Sequence, residues 1–299
     1  VGHVTLGLTH LYSGKVRDIF EVDDAHLLLV ASDRLSAFDV VMNETIPQKG
    51  RVLTGLTDYW VREFDEDVRA SLVSCDPVAI EDFVPGFVEH TSWHGRSMLV
   101  RRAKMLALEC IVRGRLAGQA YEEYVERGTV GSMSVPSGMR LTDPFEQPMF
   151  TPSTKADEGH DVYIDYPTAA SLVGADALDE ARTICLDLFR RGEASLARVG
   201  LILADTKFEL GYVDGALVVC DEVLTPDSSR IWPADRVRSG ETPPSFDKQP
   251  FRDWLAAKSW DRTPPPPEVP DEIVRVTSER YVAAYERVTG RALRDWYGE

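Results

Sequence analysis

The segment from Ala204 to Arg230 constrains the chain most. Lys207 and Glu209 alternate with Phe208 and Leu210, a period of two that sends the charged pair to one face of a β-strand and the apolar pair to the other. Asp214-Gly215 follows, a strong hairpin signal. A loop with an odd number of residues, such as Asp214 to Ala216, sets Glu209 opposite Asp221, where two carboxylates can share one hard cation. A two-residue loop sends them to opposite faces. Leu217 and Val219 pack acceptably in either register, so both remain open. The plain alternative is an edge hairpin with a solvated, charged face.

At 299 residues the chain is long enough for two domains or one large one, and 43% hydrophobic with 27% charged residues lies in the globular range. Apolar runs such as Leu27 to Ala31 are too short to cross a bilayer, and no basic-then-apolar leader precedes them, so a cytoplasmic protein without membrane attachment is expected. Cys75, Cys110, Cys185 and Cys220 are widely spaced, and the six histidines form no His-x-x-x-His pair. Disulfide scaffolds and zinc-hydrolase chemistry therefore have little support. A net charge of −16 argues against nucleic acid as a partner. The same field repels small anions, so a site for one must concentrate its cations locally.

The first hundred residues read as β-rich. Lys15 to Val22 and His26 to Ser32 are expected as strands around an Asp23-Asp24 turn, with another at Ser97 to Arg102. Leu53, Leu56, Trp60 and Phe64 mark one face of a helix. Further helices are expected over 116–127, 168–191 and 270–288, the last stopped by Gly290. The run of prolines at 264–267 reads as a stiff connector.

Several short motifs carry chemistry. In Tyr12-Ser-Gly-Lys-Val-Arg-Asp18 a glycine precedes a strand bearing Lys15 and Arg17 on one face, which can bring backbone N–H groups and a lysine to phosphates. Ser32-Asp-Arg-Leu-Ser-Ala-Phe-Asp39 suits a ligand loop after a strand, or equally an Asx-type turn that satisfies itself. Ile46 to Leu53 adds Lys49 and Arg51 beside Gly50, and the polar loop Phe150 to Asp161 offers Ser153, Thr154 and Lys155 to a small carboxylate.

Together the ordered motifs Ser13-Gly-Lys-Val-Arg-Asp18, Ser32 to Asp39, Glu109-Cys-Ile-Val-Arg-Gly114, Ser153-Thr-Lys155, Asp205-Thr-Lys-Phe-Glu209 and Asp221 to Arg230 resemble the phosphoribosylaminoimidazole-succinocarboxamide synthase (SAICAR synthetase) family, in its longer form, from about Tyr12 to Trp254. The resemblance implies an α+β fold of two lobes, a β-rich N-terminal lobe over 1–107 and a larger α/β lobe over 108–299, with ATP in the cleft between them. It implies ATP-dependent ligation of carboxyaminoimidazole ribonucleotide (CAIR) with L-aspartate through an acyl phosphate. By motif match Ser13, Gly14, Lys15, Val16 and Arg17 would cover the ATP phosphates, and backbone around Lys104 to Leu106 would meet adenine. Glu209 and Asp221 would hold Mg²⁺, while Lys207 would stabilise the transferred phosphoryl group. Arg113, Ser229 and Arg230 would bind the ribonucleotide, with Asp205 at its amine or ribose. Arg34, Ser36 and Asp39, with Ser153, Thr154 and Lys155, are further candidates for CAIR or aspartate. A monomer is favoured, with a homodimer as the alternative.

One departure concerns Gln119, where the family pattern leads us to expect serine; the longer amide can still meet a phosphate. Rival readings are a small-molecule kinase using the same residues, a nucleotide sensor without chemistry, and an interaction protein built on the proline run. The kinase reading lacks His-Arg-Asp and Asp-Phe-Gly signatures, the sensor leaves Lys207 and both acids without a purpose, and the interaction protein leaves the motifs unexplained.

Overall fold

A computed structural model of the chain describes residues 6–37, 40–64, 68–155, 163–246 and 249–297. In chain order the N-terminal elements are β1 (Thr9–Ser13), β2 (Arg17–Glu21), β3 (His26–Ala31), β4 (Arg34–Ala37), β5 (Val40–Thr45), α1 (Lys49–Glu63), β6 (Leu72–Ser74), α2 (Pro77–Glu81) and β7 (Ser97–Arg101). There follow β8 (Lys104–Met105), β9 (Leu108–Arg115), α3 (Gln119–Arg127), β10 (Thr129–Val130), β11 (Met133–Ser134), β12 (Pro144–Thr154), α4 (Tyr166–Val173), α5 (Ala175–Arg198), β13 (Leu201–Val213), β14 (Ala216–Cys220), β15 (Ser229–Pro233), α6 (Gln249–Ala256), α7 (Asp271–Thr289) and α8 (Arg294–Tyr297). The expected α+β class is what the chain adopts.

One antiparallel sheet runs β1-β2-β3-β7-β6, and a second runs β12-β9-β13-β14 with β15 and β8 also paired to β13. In the second sheet α5 packs against β13, β9 and β12. Phe208, Leu210, Cys110 and Val112 share its core with Leu188 and Phe189 of α5, all buried. Leu203 belongs to the same core although its parity differs from that of Phe208. The register between β13 and β15 shifts between Leu203 and Asp205, and such a bulge reverses the alternation along the strand. Beyond it Asp205, Lys207 and Glu209 share the opposite face.

The helix expected from Leu53 to Phe64 is α1, with Leu53, Leu56, Trp60 and Phe64 all buried. It packs on α7, which ends at Gly290 with φ 69°, as expected. The helix expected over 168–191 is two helices, α4 and α5. Asp165 caps the first by accepting from the Thr168 N–H at 2.9 Å, and Gly174 at φ 91°, ψ 145° ends it in a conformation that side chains disfavour. The strand expected from Lys15 begins only at Arg17, because Gly14 and Lys15 form the turn between β1 and β2, closed by Gly14 N–H to Arg17 carbonyl at 2.7 Å. Among the described residues no helix is long and apolar enough to cross a membrane.

Candidate active site

Strand register builds the site. Asp205, Lys207 and Glu209 stand at alternate positions of β13, and Arg113 and Ile111 of β9 lie directly across from Asp205 and Lys207. Ser153 of β12 lies across from Glu109, and Arg230 of β15 across from Asp205. Period-two alternation therefore gathers residues from four strands on one sheet face. That face and the β1–β2 turn wall a cleft of about 750 Å³.

The cleft brings together Gly14, Lys15, Val16, Arg17, Arg113, Gln119, Ser153, Lys155, Asp205, Lys207, Glu209, Asp221 and Arg230. Arg34, Ser36 and Ser229 are not among the residues that line the cleft. Arg34 donates to Asp18 at 3.0 Å and to the Gly14 carbonyl at 3.0 Å, bracing the glycine turn. Ser36 is buried in β4, and the buried Ser229 hydroxyl lies 2.8 Å from that of Thr206, a residue of the cleft lining. Ser13, Thr154, Lys104 and Leu106 are flanked by the residues that do line the cleft, Tyr12, Ser153, Ala103 and Met105. Asp39 lies outside the described residues.

The hairpin loop is Asp214-Gly215, two residues with φ 53° and 79°, pairing Val213 with Ala216 and Glu209 with Cys220. In that register a continued strand would have carried Asp221 to the far face. Asp221 instead takes φ 57° just past the strand end, and both carboxylates line the same cleft.

Every acid here meets a cation. Glu209 pairs with Lys155 at 2.6 Å, Asp221 with Arg17, and Lys207 with Glu109. Asp205, almost fully buried, takes Arg113 at 3.1 Å and Arg230 at 2.5 Å. Arg17 also faces Glu222 at 3.4 Å; burial opposes its charge, but Asp221 and Glu222 hold its pKa above the ordinary value. Burial likewise opposes the charge of Lys207, but Glu109, Glu209 and Glu222 together hold its pKa above the ordinary value. Burial pushes the Glu222 carboxyl upward.

Glu109, Tyr163, Glu222 and Asp227 also line the cleft and were not picked out by sequence reasoning. Glu109 had a usable signal, since Glu109, Ile111 and Arg113 alternate in a strand-like run. Tyr163 had none, because it reaches the site through a single antiparallel bridge to Ser153.

Two antiparallel sheets framing a cleft of paired cations and carboxylates define an α+β protein suited to binding anionic ligands beside a glycine turn. A sequence model of the family described as SAICAR synthetase matches residues 10–267. The chain belongs to this family. The phosphoribosylaminoimidazole-succinocarboxamide synthase of Syntrophotalea carbinolica is 48% identical over 279 residues, covering 93% of each chain. The solved SAICAR synthase of Saccharomyces cerevisiae complexed with SAICAR is 39% identical, covers 98% of each chain and superposes with a TM-score of 0.89. A SAICAR synthetase in complex with ADP is 25% identical, covers 94% of this chain and 98% of its own, and has a TM-score of 0.69.

Proposed function

We infer that the chain joins the carboxylate of CAIR to the amine of L-aspartate at the expense of ATP, giving SAICAR, ADP and phosphate in purine biosynthesis. The observation that carries this reading is the β13 face, where Asp205, Lys207 and Glu209 look into one cleft with the Gly14–Arg17 turn, in a chain of this family.

A carboxylate is a poor electrophile. Transfer of the γ-phosphoryl group makes it an acyl phosphate, which the aspartate amine attacks with loss of phosphate. The first step brings anions together, so cations must offset their repulsion. Lys15 and backbone N–H groups of the glycine turn meet the ATP phosphates, between an N-terminal lobe of residues 1–107 and a C-terminal lobe of 108–299. Lys207 exchanges its contact with Glu109 for the transferred phosphoryl group. Arg113 and Arg230 hold the anionic groups of the ribonucleotide in bidentate fashion, and Asp205 keeps both guanidinium groups aimed. Ser153 and Lys155 bind a substrate carboxylate.

Glu209 and Asp221 fit Mg²⁺, as hard oxygen donors on one cleft whose present partners, Lys155 and Arg17, already supply positive charge. When bound, the ion would neutralise phosphate charge. Among the described residues no three His, Cys, Asp or Glu side chains converge to hold a metal, and an ion held by these two carboxylates would need further oxygen donors such as phosphate or water. The enzyme acts as a cytoplasmic monomer.

The test is ADP release from Mg-ATP with CAIR and L-aspartate omitted in turn. Release that needs both, with the succinocarboxamide detected by mass spectrometry, is expected. Release with CAIR alone would point to phosphorylation without an amine acceptor, and no release from folded protein would favour a sensor.

A further inference from the structure

Tyr163 links groups that reach the cleft from separate elements. Its backbone is pinned to β12 by the bridge to Ser153 and by the Ile164 N–H, which donates to the Pro152 carbonyl at 3.2 Å. Its hydroxyl accepts from Nη2 of Arg113 at 2.5 Å and donates to Oε1 of Gln119 at 2.5 Å. The Arg113 guanidinium also sits over the ring, 5.0 Å from its centroid. Arg113 spends Nε–H on Thr151 at 3.0 Å and one Nη1–H on Asp205 at 3.1 Å. Among the described residues that leaves one Nη1–H and one Nη2–H for a ligand, since the guanidinium carries five N–H donors.

The direction of the second bond matters. A phenol that accepts from arginine has its own proton to give, and Gln119 takes it through the carbonyl. With its carbonyl taken, Gln119 has amide N–H groups to offer in the cleft that it lines, at the first residue of α3. Burial raises the Tyr163 pKa, which keeps that proton in place around neutral pH.

We propose that Tyr163 is a positioning residue of the substrate site, tying the Arg113 guanidinium to the Gln119 amide so that both present N–H groups to the phosphate of the ribonucleotide. The proposal rests on the ligase reading for the identity of that anion.

The experiment compares wild type, Tyr163→Phe, Gln119→Ala and the double variant, varying CAIR at saturating ATP and L-aspartate. A second arm titrates ribose 5-phosphate calorimetrically into each protein without nucleotide. Tyr163→Phe keeps the ring and loses both hydrogen bonds, so KM for CAIR should rise about tenfold while kcat and KM for ATP stay within about twofold. Ribose 5-phosphate affinity should fall by a similar factor, and the effects of the two single variants should overlap in the double variant rather than add. Unchanged KM and affinity in Tyr163→Phe would overturn the proposal, as would a parallel loss of kcat and of affinity for all three substrates. A wild type that releases no ADP refutes the ligase reading, and the binding arm then still decides the part played by Tyr163.

Discussion

Lys207 is the residue on which the phosphoryl-transfer reading turns. It is partly exposed to the cleft and faces Glu109. Lys207→Met removes the charge while keeping much of the aliphatic stem, and we expect kcat to fall by about a hundredfold or more, as when a donor to developing negative charge is lost. Thermal unfolding should also move to lower temperature, because Glu109 is buried and loses its lysine, so a wild-type circular dichroism spectrum at the assay temperature must accompany the loss of turnover. Turnover close to wild type would remove Lys207 from the mechanism. The pH dependence has a definite sign. Burial opposes the charged form, yet Glu109 leads a group of carboxylates that raise the Lys207 pKa above 10.5. A lysine raised on folding contributes stability that is complete below its unfolded pKa and lost as pH climbs through the folded value. Lys207 should therefore give activity no alkaline limb below about pH 10.

The turn before α3 shows how an element start can shape a binding group. Gly118 has φ 54° and ψ −138°, a region that side chains rarely enter, and a Cβ there would lie 2.6 Å from Cζ of Arg230. Gly118→Ala should cost about 1–3 kcal/mol in chemical denaturation and raise KM for the ribonucleotide by displacing Arg230. Gly128, at the other end of α3, has φ 71° and open space where a Cβ would sit. Gly128→Ala should cost about 1–2 kcal/mol and leave KM alone. Equal KM effects from the two would show that only backbone strain is being read. These glycines also mark what sequence could convey. The alternation of Asp205, Lys207 and Glu209 announced their shared face, and Leu53 to Phe64 announced the buried stripe of α1. The return of Asp221 to the cleft was not legible, since it depends on one left-handed residue after a two-residue loop. Arg34 looked like a ligand group by composition, but it braces Gly14, a contact 20 residues away that no local pattern encodes.

At the scale of the whole molecule, a buried ion pair joins parts of the chain that are far apart in sequence. Lys49, the first residue of α1, is fully buried and meets Asp227 at 2.8 Å. Asp227 belongs to the segment between β14 and β15 and lines the cleft, while Tyr281 of α7 donates its hydroxyl to the same carboxylate. The Lys49 ammonium also lies 5.8 Å from the centre of the Tyr281 ring. Around this junction Leu53, Leu56 and Trp60 of α1 share one core with Leu217, Val223, Tyr281 and Tyr285, so the helix that follows the first β-strands packs against elements from the C-terminal part of the chain. Desolvating two charges is expensive, and removing one partner leaves the charge of the other poorly compensated where water is scarce. Lys49→Met should accordingly lower the unfolding free energy by about 3–5 kcal/mol, and Lys49→Met with Asp227→Asn should recover part of that loss, because the second change removes the buried negative charge. Since α1 and α7 share the core, near- and far-ultraviolet circular dichroism should report one coincident transition in wild type. A single variant no less stable than wild type, or a double variant worse than the sum of the singles, would mean that Asp227 is held by its other neighbours. The junction would then contribute little to joining α1 to the cleft.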